Sequence, residues 1–194
     1  MQKAICVFAG SSLGVEPLFA RIASELGRQL VARGYGLVYG GACIGLMGVV
    51  ADAVLECGGH VTGVIPEFLG DKEVAHRQLS DLRIVSSMHQ RKDMMAQMSD
   101  GFVALPGGFG TIEEFFEVLT WAQLGLHAKP CGLLNVGGYY DGVLRFFDEA
   151  VRLELLKPAN RAMVLVEREP RLLLDRFESY SAPVVAKWIQ AEMT

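Results

Sequence analysis

No apolar run in the chain approaches the roughly 20 residues needed to cross a bilayer, because glycine or a charge interrupts every long one. A membrane span is therefore excluded, and no membrane partner is expected. Basic clusters are missing as well: 18 Lys and Arg are scattered among 22 Asp and Glu, for a formal net charge of −4. A phosphate backbone is gripped by a concentrated basic face, so no nucleic-acid partner is expected. The four cysteines, Cys6, Cys43, Cys57 and Cys131, show no CxxC spacing. Three lie in apolar or Gly-rich segments expected to be buried, which reads as reduced core thiols. His60, His76, His89 and His127 are scattered without HExxH, so no metal site is expected. There is no GxxxxGK[ST] loop, no GxGxxG fingerprint and no G-x-S-x-G elbow. Triphosphate hydrolysis, dinucleotide binding and serine nucleophiles lose their usual signatures. After Met1-Gln2-Lys3, the run Ala4 to Ala9 is too short for a secretory core, and a cytoplasmic protein without a targeting segment is expected.

What is present is a chain of 194 residues, 51% hydrophobic and 21% charged, without repeats or linkers. One domain over residues 1–194, burying roughly 70% of its unfolded surface, is the expectation. Short β-rich runs read as strands at Ala4 to Ala9, Leu37 to Tyr39, Val61 to Ile65, Leu82 to Val85, Phe102 to Leu105 and Cys131 to Asn135, with Met163 to Val166 as an optional seventh. Helical periodicity covers Leu18 to Arg33, Leu46 to Cys57, Met88 to Met98, Ile112 to Leu126 and Tyr139 to Leu153, with one or two closing helices after Pro158. This alternation predicts an α/β, Rossmann-like, doubly wound and mostly parallel sheet covered on both faces. Gly10, Gly41 and Gly107 each follow a strand. In such a sheet ligands bind at the carboxyl ends of the strands, where glycine exposes backbone amides.

Gly10-Ser11-Ser12 after the first strand reads either as a turn and cap or as an anion contact. Gly40 to Gly48 could wrap a phosphate or let two backbones touch. The densest signal is Leu105-Pro106-Gly107-Gly108-Phe109-Gly110-Thr111-Ile112-Glu113-Glu114, which leaves a strand and opens a helix. Its glycines can cradle a phosphate at the positive end of the helix. The competing reading is a capping box, with Thr111 as N-cap and Glu114 at the third helical position. Ile112, Phe115, Phe116, Leu119 and Ala122 form the apolar face, which would leave Glu114 facing the crevice. Met88-His89-Gln90-Arg91-Lys92 follows another strand. Its two cations either stand in solvent or reach the same crevice. The methionines Met88, Met94, Met95 and Met98, with Phe115 and Trp121, suggest apolar surface beyond one core's needs.

Pro106 to Glu114 matches a PGGxGTxxE signature and Met88 to Lys92 its companion segment. Together they resemble the Lonely Guy (LOG) family of cytokinin-activating phosphoribohydrolases, and the resemblance runs from Cys6 through Tyr39-Gly40-Gly41 to Lys129-Pro130. The resemblance implies hydrolysis of an N6-substituted adenosine 5′-monophosphate to free base and ribose 5-phosphate, by a homodimer; no cofactor is expected, since no ligand cluster or dinucleotide fingerprint appears. It implies Arg91 and Glu114 as the catalytic pair. It places nucleotide contacts at Lys92, Gly108, Gly110 and Thr111, with further contacts at Glu73 and Thr120; Gly10, Ser11, Ser12, Gly41, Met88, Gly107 and Phe109, from the same segments, complete the expected substrate-binding set. The family's older label, lysine decarboxylase, is not supported, since no pyridoxal lysine with its partner residues is evident. A second class stays open: similar Gly-rich folds serve as molybdenum-cofactor carriers or DNA-processing proteins. A carrier needs the glycines but not an acid beside a ribose.

Overall fold

A computed structural model describes residues 2–69 and 75–183. Along the chain run β1 (Ala4–Phe8), α1 (Pro17–Ala32), β2 (Gly36–Tyr39), α2 (Gly45–Glu56), β3 (Val61–Pro66), the single turn α3 (Glu67–Leu69), β4 (Asp81–Val85) and α4 (Met88–Gln97). Then follow β5 (Gly101–Ala104), α5 (Phe109–Leu124), β6 (Cys131–Leu134), α6 (Asp141–Arg152), α7 (Pro158–Arg161), β7 (Val164–Glu167) and α8 (Pro170–Glu178). The strands form one sheet in the order β4-β3-β2-β1-β5-β6-β7, with every pairing parallel. This is the doubly wound α/β sheet that the alternation predicts, and the optional strand near Met163 is its edge. Successive strands move outward from β1 on one side and from β5 on the other. The loops after β1 and β5 therefore diverge and open a crevice between them.

Strand side chains alternate between faces, which divides the core in two. Ile5 and Val7 pack with Leu26 of α1, Val50 of α2 and Leu173 of α8. Cys6 and Phe8 pack on the opposite side with Met95 of α4, Phe115 of α5 and Phe147 of α6. Pro17 and Pro170 open α1 and α8 at a position where the missing N–H costs nothing.

Two expectations about burial change. Only Cys6 and Cys131, in central strands, are buried, whereas Cys43 and Cys57 are exposed. Cys57 is the residue that ends α2, and Cys43 lies in the loop ahead of that helix. Burial pushes the Cys131 thiol up to about 12, so it stays protonated and inert. The methionine-rich helix does not supply spare apolar surface: Met95 and Phe115 are fully buried, and Met94, Met98 and Trp121 pack against the same core. The exposed apolar side chains lie elsewhere, notably Phe146, Leu153 and Leu155 at and beyond α6. Among the described residues no helix is long and apolar enough to cross a membrane.

Candidate active site

Three backbone segments meet at the carboxyl edge of the sheet. The Gly10 amide donates to the Pro106 carbonyl at 3.1 Å, and the Gly10 carbonyl accepts from the Leu46 amide at 3.0 Å at the start of α2. These contacts join the loops after β1, β2 and β5. They need glycine: a Cβ on Gly45, whose φ is +61°, would strike the Ser11–Ser12 backbone, and one on Gly107 would strike the Thr111 side chain. The stretch from Gly40 to Gly48 therefore serves close backbone approach, and the Gly41 carbonyl is taken by the His76 amide at 2.9 Å. Between the segments lies a cavity of about 310 Å³ whose wall includes Gly10, Ser11, Ser12, Phe19, Gly107 and Gly108. Ser12 shapes its own loop, its Oγ accepting from the Gly14 amide at 3.2 Å; α1 begins later, after Glu16.

The helix that opens here starts earlier than the sequence suggests. Its N-cap is Gly108, without a side-chain cap, and Phe109 is its first residue. Thr111 is thus the third helical residue and Glu114 sits in the second turn, so the Thr111–Glu114 capping box does not form. With no side chain covering them, the first amides of α5 remain available to a ligand. A Cβ on Gly108 or Gly110 would meet nothing within 4 Å, and neither has a left-handed φ. The fold does not require glycine at these two positions. What their absent side chains leave open is the approach to the helix entrance. Thr111 is buried, with its hydroxyl toward Gly107.

Glu114 faces α4, one helical turn beyond Thr111. Its Oε1 lies 3.1 Å from Arg91 Nη1, with both side chains about nine-tenths buried. The helix face most deeply buried is Thr111, Phe115, Val118 and Ala122, one step round from the face read in the sequence. Arg91 is fixed from below: Nε donates to the Val64 carbonyl at 3.0 Å and Nη2 to the Gly40 carbonyl at 3.3 Å. A Cβ on Gly40 would collide with the guanidinium, so this glycine makes the seat for Arg91. Ser87 caps α4 by accepting from the Gln90 amide at 3.2 Å, and Gln90 Oε1 accepts from Ser86, which sets the rotation that turns Arg91 inward. Burial pushes the Glu114 carboxyl above its ordinary value; Arg91 pulls it down and Glu113 adds to the rise. The result is a carboxyl held dry beside a fixed cation, the setting in which acid, base or electrostatic work is done.

The remaining expected residues divide. Lys92 does not stand free in the crevice: its Nζ reaches Glu113 at 2.5 Å and Glu117 at 3.1 Å, which ties α4 to α5 beside the Arg91–Glu114 pair. Met88 opens α4 with its Sδ 3.9 Å from Arg91 Nη1. Phe109 is 97% exposed at the helix tip. Thr120 is away from Glu114, on the α5 face that lines an apolar groove of about 380 Å³ with Phe116 and Phe146. Its hydroxyl donates back to the Phe116 carbonyl at 2.7 Å. Glu73 lies outside the described residues. Sequence reasoning did not find Gly40 as the seat of Arg91, and it missed Phe19 and Tyr139, which stand on the cavity wall. The signal for Tyr139 was present, since Gly137-Gly138-Tyr139 is another glycine cluster following a strand. Among the described residues no group of three or more His, Cys, Asp or Glu could hold a metal ion.

The family described as "possible lysine decarboxylase" matches residues 47–177. "Probable cytokinin riboside 5′-monophosphate phosphoribohydrolase LOGL6" of Oryza sativa subsp. japonica is 50% identical over 92% of this chain and 72% of its own length. "Cytokinin riboside 5′-monophosphate phosphoribohydrolase LOG5" of Arabidopsis thaliana is 48% identical over 92% of this chain and 78% of its own. Among solved structures, the molybdenum cofactor binding protein of Rippkaea orientalis superposes with a TM-score of 0.70 at 20% identity, over 92% of this chain and 98% of that one. That likeness is one of fold. On the family match and the half-identical relatives together, the chain belongs to the Lonely Guy family of cytokinin riboside 5′-monophosphate phosphoribohydrolases.

Proposed function

We infer that the protein hydrolyses the N-glycosidic bond of adenosine 5′-monophosphates of the N6-substituted, cytokinin class. Water adds to C1′ of the ribose, the C1′–N9 bond breaks, and free base and ribose 5-phosphate leave. The observation that carries this reading is the placement, on one helix, of an uncovered glycine entrance and a buried carboxylate one turn further along. A 5′-phosphate held at the amides of Gly107, Gly108 and Gly110, with Ser11 and Ser12 opposite, places its ribose over the first turn of α5 toward Glu114. Cleavage builds oxocarbenium charge on that ribose, and a fixed carboxylate opposes it or steers the attacking water. Arg91 has Nε and Nη2 committed to carbonyls and Nη1 to Glu114. Its part is to fix Glu114 and keep it charged against the desolvation that pushes its proton affinity up.

A molybdenum-cofactor carrier would share the cradle, but the Arg91–Glu114 pair and its glycine seat favour chemistry over carriage. In this reading the chain is one nucleotide-binding unit acting in the cytoplasm, without cofactor, as a homodimer. Exposed Phe146, Leu153 and Leu155 beside the groove that carries Thr120 supply apolar surface for a second copy, and that face gives Thr120 a way to reach a partner's substrate. The direct test is chromatography of AMP and N6-isopentenyl-AMP after incubation with the purified protein, with adenosine alongside. Release of base from the monophosphates and far less from adenosine is expected. Intact nucleotides would reject the activity, and equal kcat/KM for adenosine and AMP would reject the phosphate cradle.

A further inference from the structure

Beyond the residues assigned to substrate and catalysis, the turn after β6 makes an unassigned connection to the glycine loop. Gly137 and Gly138 have φ values of +61° and +80°, a left-handed pair that turns the chain sharply and delivers Tyr139 and Tyr140 side by side. Asn135, itself buried, braces the turn: its Oδ1 accepts from the Tyr140 amide at 2.7 Å and its Nδ2 donates to Asp141 at 2.7 Å. From this base Tyr140 Oη donates to the Leu105 carbonyl at 2.6 Å, and Tyr139 Oη donates to the Gly107 carbonyl at 2.7 Å. The carbonyl between them, Pro106, accepts from the Gly10 amide at 3.1 Å. Three successive carbonyls of the loop are thus held, two of them by adjacent tyrosines. The Tyr139 ring is in turn set edge-on against Phe19, with centroids 5.6 Å apart.

The consequence lies on the other side of each peptide. A trans peptide is planar, with its C=O and N–H pointing in opposite directions, and no cis bond occurs among the described residues. Holding the Gly107 carbonyl toward Tyr139 therefore directs the Gly108 amide away from it, and holding the Pro106 carbonyl toward Gly10 directs the Gly107 amide. Glycine has the freest backbone of any residue, so two consecutive glycines would leave these peptides free to rotate unless their oxygens were tied. We propose that Tyr139 is a positioning residue for the anion cradle: its hydroxyl fixes the Gly107–Gly108 peptide so that the amides are already oriented when a phosphate arrives. Its action is on the phosphate end of the substrate and is indifferent to the base. This rests on the nucleotide reading of the cradle given above.

Tyr139→Phe removes the hydroxyl and keeps the ring against Phe19 and Tyr140. Two measurements on the full-length protein test the idea. Titration calorimetry in the slow Glu114→Gln background, with AMP and with adenosine, compares a ligand that has the phosphate with one that lacks it. Loss of a single hydrogen bond predicts affinity for AMP weaker by about five-fold or more, with adenosine unchanged and kcat for AMP near wild type once saturated. Unchanged affinity for AMP would overturn the proposal. An equal fall for both ligands would overturn it too, since the hydroxyl would then touch the nucleoside itself. The second measurement needs no ligand: ¹⁵N order parameters of the Gly107 and Gly108 amides should fall in Tyr139→Phe and stay level at sites outside the loop. If wild type binds no AMP, the nucleotide reading fails, and this measurement alone decides the clamp. Undiminished order at both amides would then refute it.

Discussion

Replacing Glu114 by Gln separates a structural ion pair from a catalytic one. Arg91 Nη1 and Glu114 Oε1 are 3.1 Å apart, so at an effective dielectric near 20 their attraction is about 5 kcal/mol. Desolvation opposes it with similar strength, because burial still pushes the Glu114 carboxyl up despite the adjacent guanidinium. Gln keeps an oxygen for Nη1, and Arg91 keeps the Val64 and Gly40 carbonyls. The expected change in stability is therefore about 1–2 kcal/mol, a shift in Tm of a few degrees for a chain of this size. Turnover should respond far more: removing the charge that faces an oxocarbenium costs on the order of 10²-fold in kcat, or about 2.7 kcal/mol. A structural pair predicts the opposite, lost stability with activity kept. Folding is checked by circular dichroism and melting, and rate by release of base from AMP. A folded variant with kcat within about three-fold of wild type would refute the reasoning. The sign of the pH effect provides a second check. Glu114 holds its proton more tightly folded than unfolded, so its contribution to stability is present at low pH and lost as pH rises from the ordinary carboxylate range through the folded value. Wild type should lose stability relative to Glu114→Gln across that window.

Two glycine substitutions should behave in opposite ways. Gly45→Ala forces a Cβ at φ +61° into the Ser11–Ser12 backbone, which should cost roughly 2–4 kcal/mol in urea unfolding; a loss under about 0.5 kcal/mol would contradict the close approach. Gly108→Ala meets nothing within 4 Å and should fold as well as wild type, yet its methyl intrudes at the helix entrance and should raise KM for AMP; an unchanged KM would move the phosphate elsewhere. Light scattering at micromolar concentration should give at least a dimer, and a monomer would leave Phe146 and Leu155 without the proposed cover.

The sheet was legible because its signals are local. Each strand is a short β-rich run bounded by glycine or a helix, and period and punctuation suffice to read it. The candidate site was legible only where its motif is written in consecutive residues, as in Pro106 to Glu114. The competing capping-box reading fails because the helix begins one turn earlier, with Gly108 as an N-cap that has no side chain and so leaves the amides uncovered. Lys92 was read as solvated or as a phosphate ligand, and its carboxylate partners lie 21 and 25 residues away. Gly40 was hidden for the same reason. It looks like any glycine after a strand, and its use as the seat of a guanidinium 51 residues along the chain appears only when β2 and α4 are brought together.

The two parts of the site have different physical dependence on sequence. The cradle is made by backbone: the reversal of strand order between β1 and β5 opens it, and Gly10, Gly45 and Gly107 allow its three loops to touch. These contacts ask little of the surrounding side chains, and a molybdenum cofactor binding protein only 20% identical shares the fold. The Arg91–Glu114 pair, to which the proposed reading gives the chemistry, depends instead on side chains from α4 and α5 and on the space that one glycine leaves. Arg91→Lys keeps the charge but loses the planar fork that reaches Val64, Gly40 and Glu114 together. With the cation no longer fixed, the carboxyl above it would be freer to take up the proton that burial favours. Arg91→Lys is therefore expected to keep AMP affinity and lose turnover, read by release of base from AMP; near-normal kcat in a folded variant would reject the role proposed for the guanidinium.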